Sequence, residues 1–262
     1  MSSLKPGHRW GQGNTRYLEK KIAVIIGAGP GLGLSLGKVF GKNGFTPVLV
    51  SRSEEKLAKL VSDLKELGID SFTETGDASD AASLKTAMAN IKVTHGAPTV
   101  MIYNAADTRP GAGLRVETEE LVQHFRLDVA GAWTVCRDLI EDPEFLQNKG
   151  ALLFTGGGFG IHPFPAFGAM SLTKAALRSY AYMLNEALAP KGIYAGTVTI
   201  NGPIGMNDFF SADRIAEAFY ELYEKRTECE KVYEYPELVG FKGSGAEYWS
   251  HVFPASKEAE SH

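Results

Sequence analysis

Residues 21–44 read "KIAVIIGAGPGLGLSLGKVFGKNG", and the order of three parts within this stretch decides the fold. An apolar, β-branched run comes first, with the length of a strand buried on both faces. A glycine-rich turn follows, then a segment with helical spacing of apolar residues that stops at Gly44. The glycines have separate tasks. Gly27 allows a tight bend, Gly31 lets a phosphate approach the backbone, and Gly33 lets the helix lie close on the strand. The first turn of such a helix offers unpaired N–H groups and a partial positive charge. Gly29, Pro30 and Leu32 complete this anion-binding loop, whose place between first strand and first helix points to a dinucleotide.

Outward from that unit the pattern repeats. "TPVLVSR" (46–52), the weaker "DSFTETGD" (70–77), "APTVMIYNAA" (97–106), "GALLFTGGG" (150–158) and "IYAGTVTIN" (193–201) read as strands. Between them, residues 53–68, 78–91, 118–140 and 165–192 read as helices, the first with Ser53 as N-cap and Gly68 as stop. Apolar strands alternating with helices require β-α-β units with right-handed crossovers. The expected fold class is α/β: a doubly wound parallel sheet, Rossmann-type, in three α/β/α layers. One domain is expected over 21–240, after a polar arm at 1–20. A helix and a short strand are expected within 207–235, beyond the last core crossover, and a polar, mobile tail at 241–262.

Composition excludes several classes of function. A formal charge of -4 leaves no basic face for nucleic acid. Cys136 and Cys229 are isolated from each other, so neither a disulfide nor a metal site is expected. Two reduced thiols, an N-terminal stretch without an apolar core and no long apolar run lead us to expect a soluble, cytoplasmic protein with no membrane partner.

The second strand ends "LVSRS". NAD-binding loops of this type place an acid there for the ribose 2′-hydroxyl, whereas here Ser51 takes its place and Arg52 follows. A guanidinium pairs with a 2′-phosphate that a carboxylate would repel, so the expected cofactor is NADP(H), a plain surface role for Arg52 being the alternative.

With this loop, "GDASD" after the third strand, "YNAA" at the end of the fourth and Lys174 on the sixth helix, residues 20–206 resemble the short-chain dehydrogenase/reductase family. The resemblance implies that Asp77 and Ala78 flank the adenine, and that Asn104, Ala105 and Ala106 shape the loop beside the ribose. It also implies that the backbone of Gly202, Pro203 and Ile204 faces the nicotinamide carboxamide, and that Lys174 holds the nicotinamide ribose. The family's Tyr-x-x-x-Lys becomes Met170-x-x-x-Lys174, its Ser becomes Gly157 and its Asn becomes Asp128. Enoyl-acyl carrier protein reductases, a branch with a Gly-Pro-Ile turn, place their Tyr seven residues before the Lys. Phe167 stands there.

Substitutes for the missing acid are sought at the carboxyl edge of the sheet. His162 is one, with a backbone-bonding loop histidine as the alternative. Asp128 is another, either carrying a proton or pairing with a buried Lys174. Asp107, Thr108 and Arg109 follow the fourth strand, where a solvated loop is the competing reading. Tyr103 reads as core packing. Phe159, Phe164, Phe167, Phe209 and Phe210 are expected near the mouth of an apolar pocket, and the helix over 209–223 resembles the family's substrate lid. These residues imply an oxidoreductase acting on a small hydrophobic carbonyl or activated alkene, with an inactive NADP(H)-binding scaffold or sensor as the alternative. The likeness also implies a homodimer or homotetramer joined through 118–140 and 165–188.

Overall fold

The computed structural model describes residues 21–107 and 113–253. The arm 1–20, Thr108, Arg109 and the last residues of the tail lie outside the described residues.

Among the described residues, seven strands form one parallel sheet: β1 (Lys21–Ile26), β2 (Phe45–Ser51), β3 (Phe72–Thr75), β4 (Val100–Tyr103), β5 (Ala151–Gly157), β6 (Tyr194–Ile200) and β7 (Glu230–Tyr233). Their spatial order is β3-β2-β1-β4-β5-β6-β7. The chain winds outward from β1 in one direction, then crosses back to begin β4 on the other side. That reversal makes a crevice at the carboxyl ends of β1 and β4.

Strand side chains alternate between two cores. Ile22, Val24 and Ile26 of β1 pack on one face with residues of α3 (Ala81–His95), α5 (Gly131–Leu139) and α7 (Gly168–Leu188). Ala23 and Ile25 pack on the other with α1 (Leu32–Lys42), α2 (Glu54–Glu66) and α8 (Ala212–Lys225). The expected three layers are present. Ser53 caps α2 by accepting from the Lys56 N–H, and Asp80 caps α3 from the Ala82 and Ser83 N–H groups, each worth about 1 kcal/mol.

Three segments differ from the sequence expectation. The helix expected over 118–140 is divided: α4 (Thr118–Phe125) passes through a π turn at Arg126–Ala130 before α5. The segment expected as a lid packs one face of its helix into the core: Ile215, Ala216, Phe219 and Leu222 of α8 are buried beside Leu36 and Phe40 of α1. Asp213 fixes the two helices further, accepting from Ser35 at 2.7 Å and pairing with Lys38. Finally, the tail contains α9 (Gly245–Val252) after the short α6 (Pro143–Gln147) and α7 of the body. Ser244 and Glu247 form a capping box at its start, and Tyr248, Trp249 and Val252 are buried. The residues 241–253 are therefore docked through these apolar side chains, with Phe241 packed against them.

Candidate active site

The site is built along the carboxyl edge of the sheet, beginning at Gly27. Its φ is +84°, and a Cβ there would fall 2.4 Å from the backbone of Ala105, so only glycine closes this turn. Gly33 lies equally close to the preceding loop, with Ala28 Cα 2.8 Å from the place of its missing Cβ. Gly29 and Gly31 differ. Among the described residues nothing stands within 4 Å of where their Cβ atoms would be, so these leave the space in front of the loop open. The N-cap of α1 is Gly31, which has no side chain to cap the helix. An uncapped helix start facing an open glycine cradle suits an anion. Pro30 lies exposed on the loop, while Leu32 is buried beneath it.

A cleft of about 210 Å³ continues from the cradle, lined by Gly27, Ser51, Arg52, Asp77, Ala78, Asn104, Ala105 and Ala106. Eight residues singled out in the sequence thus meet in one place. Ala28, Gly76 and Leu127 complete the lining. Arg52 is exposed at the rim. Burial tends to raise the Asp77 carboxyl, but hydrogen bonds from the Ser79 side chain and N–H, with the charge of Arg52, bring it below the usual value. Asp77 is anionic at neutral pH.

Asn104 joins three strand ends. Its Nδ2 donates to the Gly27 carbonyl at 2.9 Å, and its Oδ1 accepts from Thr155 Oγ1 at 2.9 Å. The Thr155 carbonyl then accepts from Lys174 Nζ, again at 2.9 Å. A line of hydrogen bonds so runs from the cradle to the buried amine. Burial lowers the Lys174 pKa, and the Asp128 charge works against that shift.

Asp128 is fully buried in the π turn. Its Oδ2 accepts from Thr173 Oγ1 at 2.6 Å and its Oδ1 from the Asp107 N–H at 3.0 Å. The expected direct pairing with Lys174 is not made, since among the described residues no ion pair joins the two. Their coupling acts through space. The glycine of "LDVAG", Gly131, is needed because a Cβ would stand 2.2 Å from both the Ala78 carbonyl oxygen and the Tyr103 hydroxyl. Tyr103 is core, as its sequence position suggested, and its hydroxyl donates to the Leu127 carbonyl.

Gly157 and Met170 stand where the resemblance implies a hydroxyl. A Cβ on Gly157 would approach Lys174 Cγ to 3.1 Å, so the lysine stem fills that place. Met170 is buried, and Phe167 stacks on Phe159 at 4.7 Å. Phe164 joins this stack and Trp249 of α9 covers it, 4.3 Å from Phe159. Phe210 is fully buried instead of lining a mouth, its ring 2.4 Å from where a Cβ of Gly202 would lie. Phe209 stacks on Tyr235. Pro203 and Ile204 form the turn after β6, closed by Met206 N–H to the Pro203 carbonyl at 3.2 Å.

His162 is held among the docked C-terminal residues. Its ring stacks on Tyr248 at 3.8 Å and 9°, with Phe241 edge-on at 6.2 Å. Its carbonyl accepts from the Trp249 indole at 2.7 Å. Burial lowers the imidazole pKa, opposed by the Glu234 charge. Sequence reading missed Thr155, Thr173, Asn201, Glu234, Tyr248 and Trp249. A usable signal existed only for the last two, in the Ser-x-x-Glu pattern at 244–247 followed by two aromatics.

A family model described as short chain dehydrogenase matches residues 21–204. The chain belongs to the short-chain dehydrogenase family. Among its curated relatives, oxidoreductase UcpA of Salmonella typhimurium is 28% identical over 183 residues, which cover 69% of this chain and 68% of that protein. The NADPH-dependent 1-acyldihydroxyacetone phosphate reductase of Saccharomyces cerevisiae is 26% identical over 171 residues, 65% of this chain and 57% of that protein. Among solved structures, apo LigD of a Sphingobium species superposes with a TM-score of 0.75 at 20% identity, covering 91% of this short-chain dehydrogenase and 98% of LigD. An alcohol dehydrogenase of Thermococcus sibiricus complexed with 5-hydroxy-NADP gives a TM-score of 0.70 at 20% identity, over 83% and 99% of the two chains. These superpositions agree with the fold. No helix among the described residues is long and apolar enough to cross a membrane.

Proposed function

We propose that this short-chain dehydrogenase is an NADP(H)-dependent oxidoreductase acting on a small, hydrophobic substrate with an activated alkene or carbonyl. The observation that carries the reading is the line Gly27–Asn104–Thr155–Lys174, which ties an open anion cradle to a buried amine across three adjacent strand ends. The chain's own residues fit the cofactor. The cradle is space that side chains on Gly29 and Gly31 would fill, and the cleft beside it carries Arg52 with Ser51 where an acid would oppose a phosphate. A relative named as NADPH-dependent supports the same choice.

In this reading the loop Gly27 to Gly33 and the start of α1 take the pyrophosphate, and Arg52 pairs with the 2′-phosphate. Asp77 and Ala78 flank the adenine, and Ala105 and Ala106 bound the ribose. Lys174 holds the nicotinamide ribose hydroxyls, while the Gly202–Ile204 backbone meets the carboxamide. When bound, the reduced nicotinamide supplies a hydride. Asp128 orients Thr173 beside Lys174 and sets the field the amine feels.

The absence of a phenol at positions 167 and 170 favours the alkene. A positioned acid contributes about 10²–10⁴-fold to carbonyl reduction, and neither Met170 nor Phe167 can donate. His162 is a poor donor at neutral pH because burial depresses its pKa. An enolate spreads its charge and needs such an acid less. We also propose a homodimer or homotetramer, supported by Val122, Trp133, Leu172 and Met183, which lie exposed on α4, α5 and α7.

The test is NADPH oxidation with a panel of enones, unsaturated thioesters and ketones, for the wild type and Lys174→Ala. Turnover of enones ahead of ketones, reduced at least tenfold by the substitution, is the expected result. NADPH binding without oxidation of any substrate would identify a cofactor-binding scaffold instead.

A further inference from the structure

The first residue after β6 is Asn201, fully buried at the carboxyl end of the sheet. Its Nδ2 donates to Glu234 Oε2 at 2.8 Å. Its Oδ1 is buried and has no hydrogen-bond partner among the described residues. The Tyr248 hydroxyl donates to the same Glu234 Oε2, at 2.9 Å. One N–H of Asn201 and the Tyr248 hydroxyl thus share one carboxylate oxygen, which leaves Glu234 Oε1 and Asn201 Oδ1 as acceptors. Glu234 is half-buried, and among the described residues no cation forms an ion pair with it. A partly desolvated carboxylate without a counter-charge, beside a buried acceptor without a donor, is unfavourable for folding alone. It is what a site for a hydrogen-bond donor looks like before the donor arrives.

Glycine backbone and aromatic rings surround this polar corner. β5 and β6 pair Gly157 with Ile200, so Asn201 follows on beside Gly158. A Cβ on Gly158 would stand 2.3 Å from Asn201 Oδ1, so glycine is required there. One residue away, Gly157 carries the stem of Lys174. The rings of His162, Tyr248 and Phe241 stand alongside.

We infer that Asn201 and Glu234 form the polar end of the substrate pocket and take a donor-bearing group, a protonated amine ahead of a hydroxyl, on an otherwise aromatic or apolar molecule. The amine ranks first because it brings the charge that Glu234 lacks. Tyr248 is a positioning residue, holding the carboxylate without meeting the ligand. The word substrate rests on the oxidoreductase reading; the binding preference does not.

The test is binding of benzylamine, benzyl alcohol and toluene to the full chain, by ligand-observed NMR, with and without NADPH. Benzylamine is expected to bind at least tenfold tighter than toluene, with benzyl alcohol between them. Glu234→Gln should remove most of the amine's advantage and leave toluene unchanged. Asn201→Ala, which keeps the carboxylate, should narrow the gap between benzyl alcohol and toluene. Circular dichroism shows whether each variant is folded, and the wild-type order of probes stands as a test by itself. Equal binding by all three probes, binding by none, or an order unaffected by Glu234→Gln in folded protein would overturn the inference. NADPH titration of the same samples separates the two readings. Loss of the probe order with NADPH still bound refutes the pocket alone, and probe discrimination without NADPH binding refutes the oxidoreductase alone.

Discussion

Gly27 and Gly29 stand two residues apart in one loop yet serve different ends. Gly27 combines a φ of +84° with a backbone neighbour 2.4 Å from its missing Cβ, whereas none of the described residues lies within 4 Å of the Cβ position at Gly29. Gly27→Ala should therefore cost roughly 2–5 kcal/mol through strain and overpacking, measured by urea unfolding. Gly29→Ala should change stability by less than about 1 kcal/mol and still weaken NADPH binding at least tenfold. Equal stability loss in both would show that the cradle is only a turn. The sequence made these glycines legible because their spacing is local. It could not reveal Thr155, whose ties to Asn104 and Lys174 span 51 and 19 residues. Nor could it tell that Asp128 bonds Thr173 and the Asp107 N–H instead of the nearby amine, since that depends on a π turn.

At the scale of elements, helical spacing was readable and partnership was not. The apolar stripe of α8 is equally compatible with a lid and with a core helix. What decides is Phe40, edge-on to Tyr220 at 5.4 Å, together with the pairing of Asp213 to Lys38 and Ser35. The π turn was hidden because one added residue barely disturbs a helical pattern over so short a run. Hydrogen bonds from Lys38 and Ser35 lower the Asp213 pKa in the folded protein below its usual 3.8. A carboxyl so shifted stabilises the fold above that usual value, and the contribution disappears as pH falls through the folded-state pKa. Asp213 is half exposed, so Asp213→Asn should cost only about 0.5–1 kcal/mol at neutral pH. Urea unfolding as a function of pH should show the difference closing below about pH 4. A constant difference at all pH values would mean that shape, not charge, holds α8 to α1.

For the whole molecule, alternation of strands and helices was enough to give the doubly wound sheet, because a right-handed crossover leaves few alternatives. The docking of α9 was not, since polar composition describes most of that stretch and only long-range contact with His162, Phe159 and Glu234 selects its place. Trp249→Ala tests this directly. The side chain is 3% exposed, and its loss should cost roughly 3–5 kcal/mol, visible as a lowered Tm in a single cooperative transition. An unchanged Tm would mean that the C-terminal residues are independent of the body.

The cradle, Arg52 and Lys174 share one edge of the sheet, and the central claim is that this edge is shaped for a phosphorylated nicotinamide nucleotide. Calorimetric titration of the wild type and Arg52→Ala with NADPH and NADH tests it most directly. NADPH should bind the wild type at least tenfold tighter than NADH, about 1.4 kcal/mol, and the two should approach parity in Arg52→Ala. Tighter binding of NADH by the wild type, or a preference that Arg52→Ala leaves intact, would contradict it.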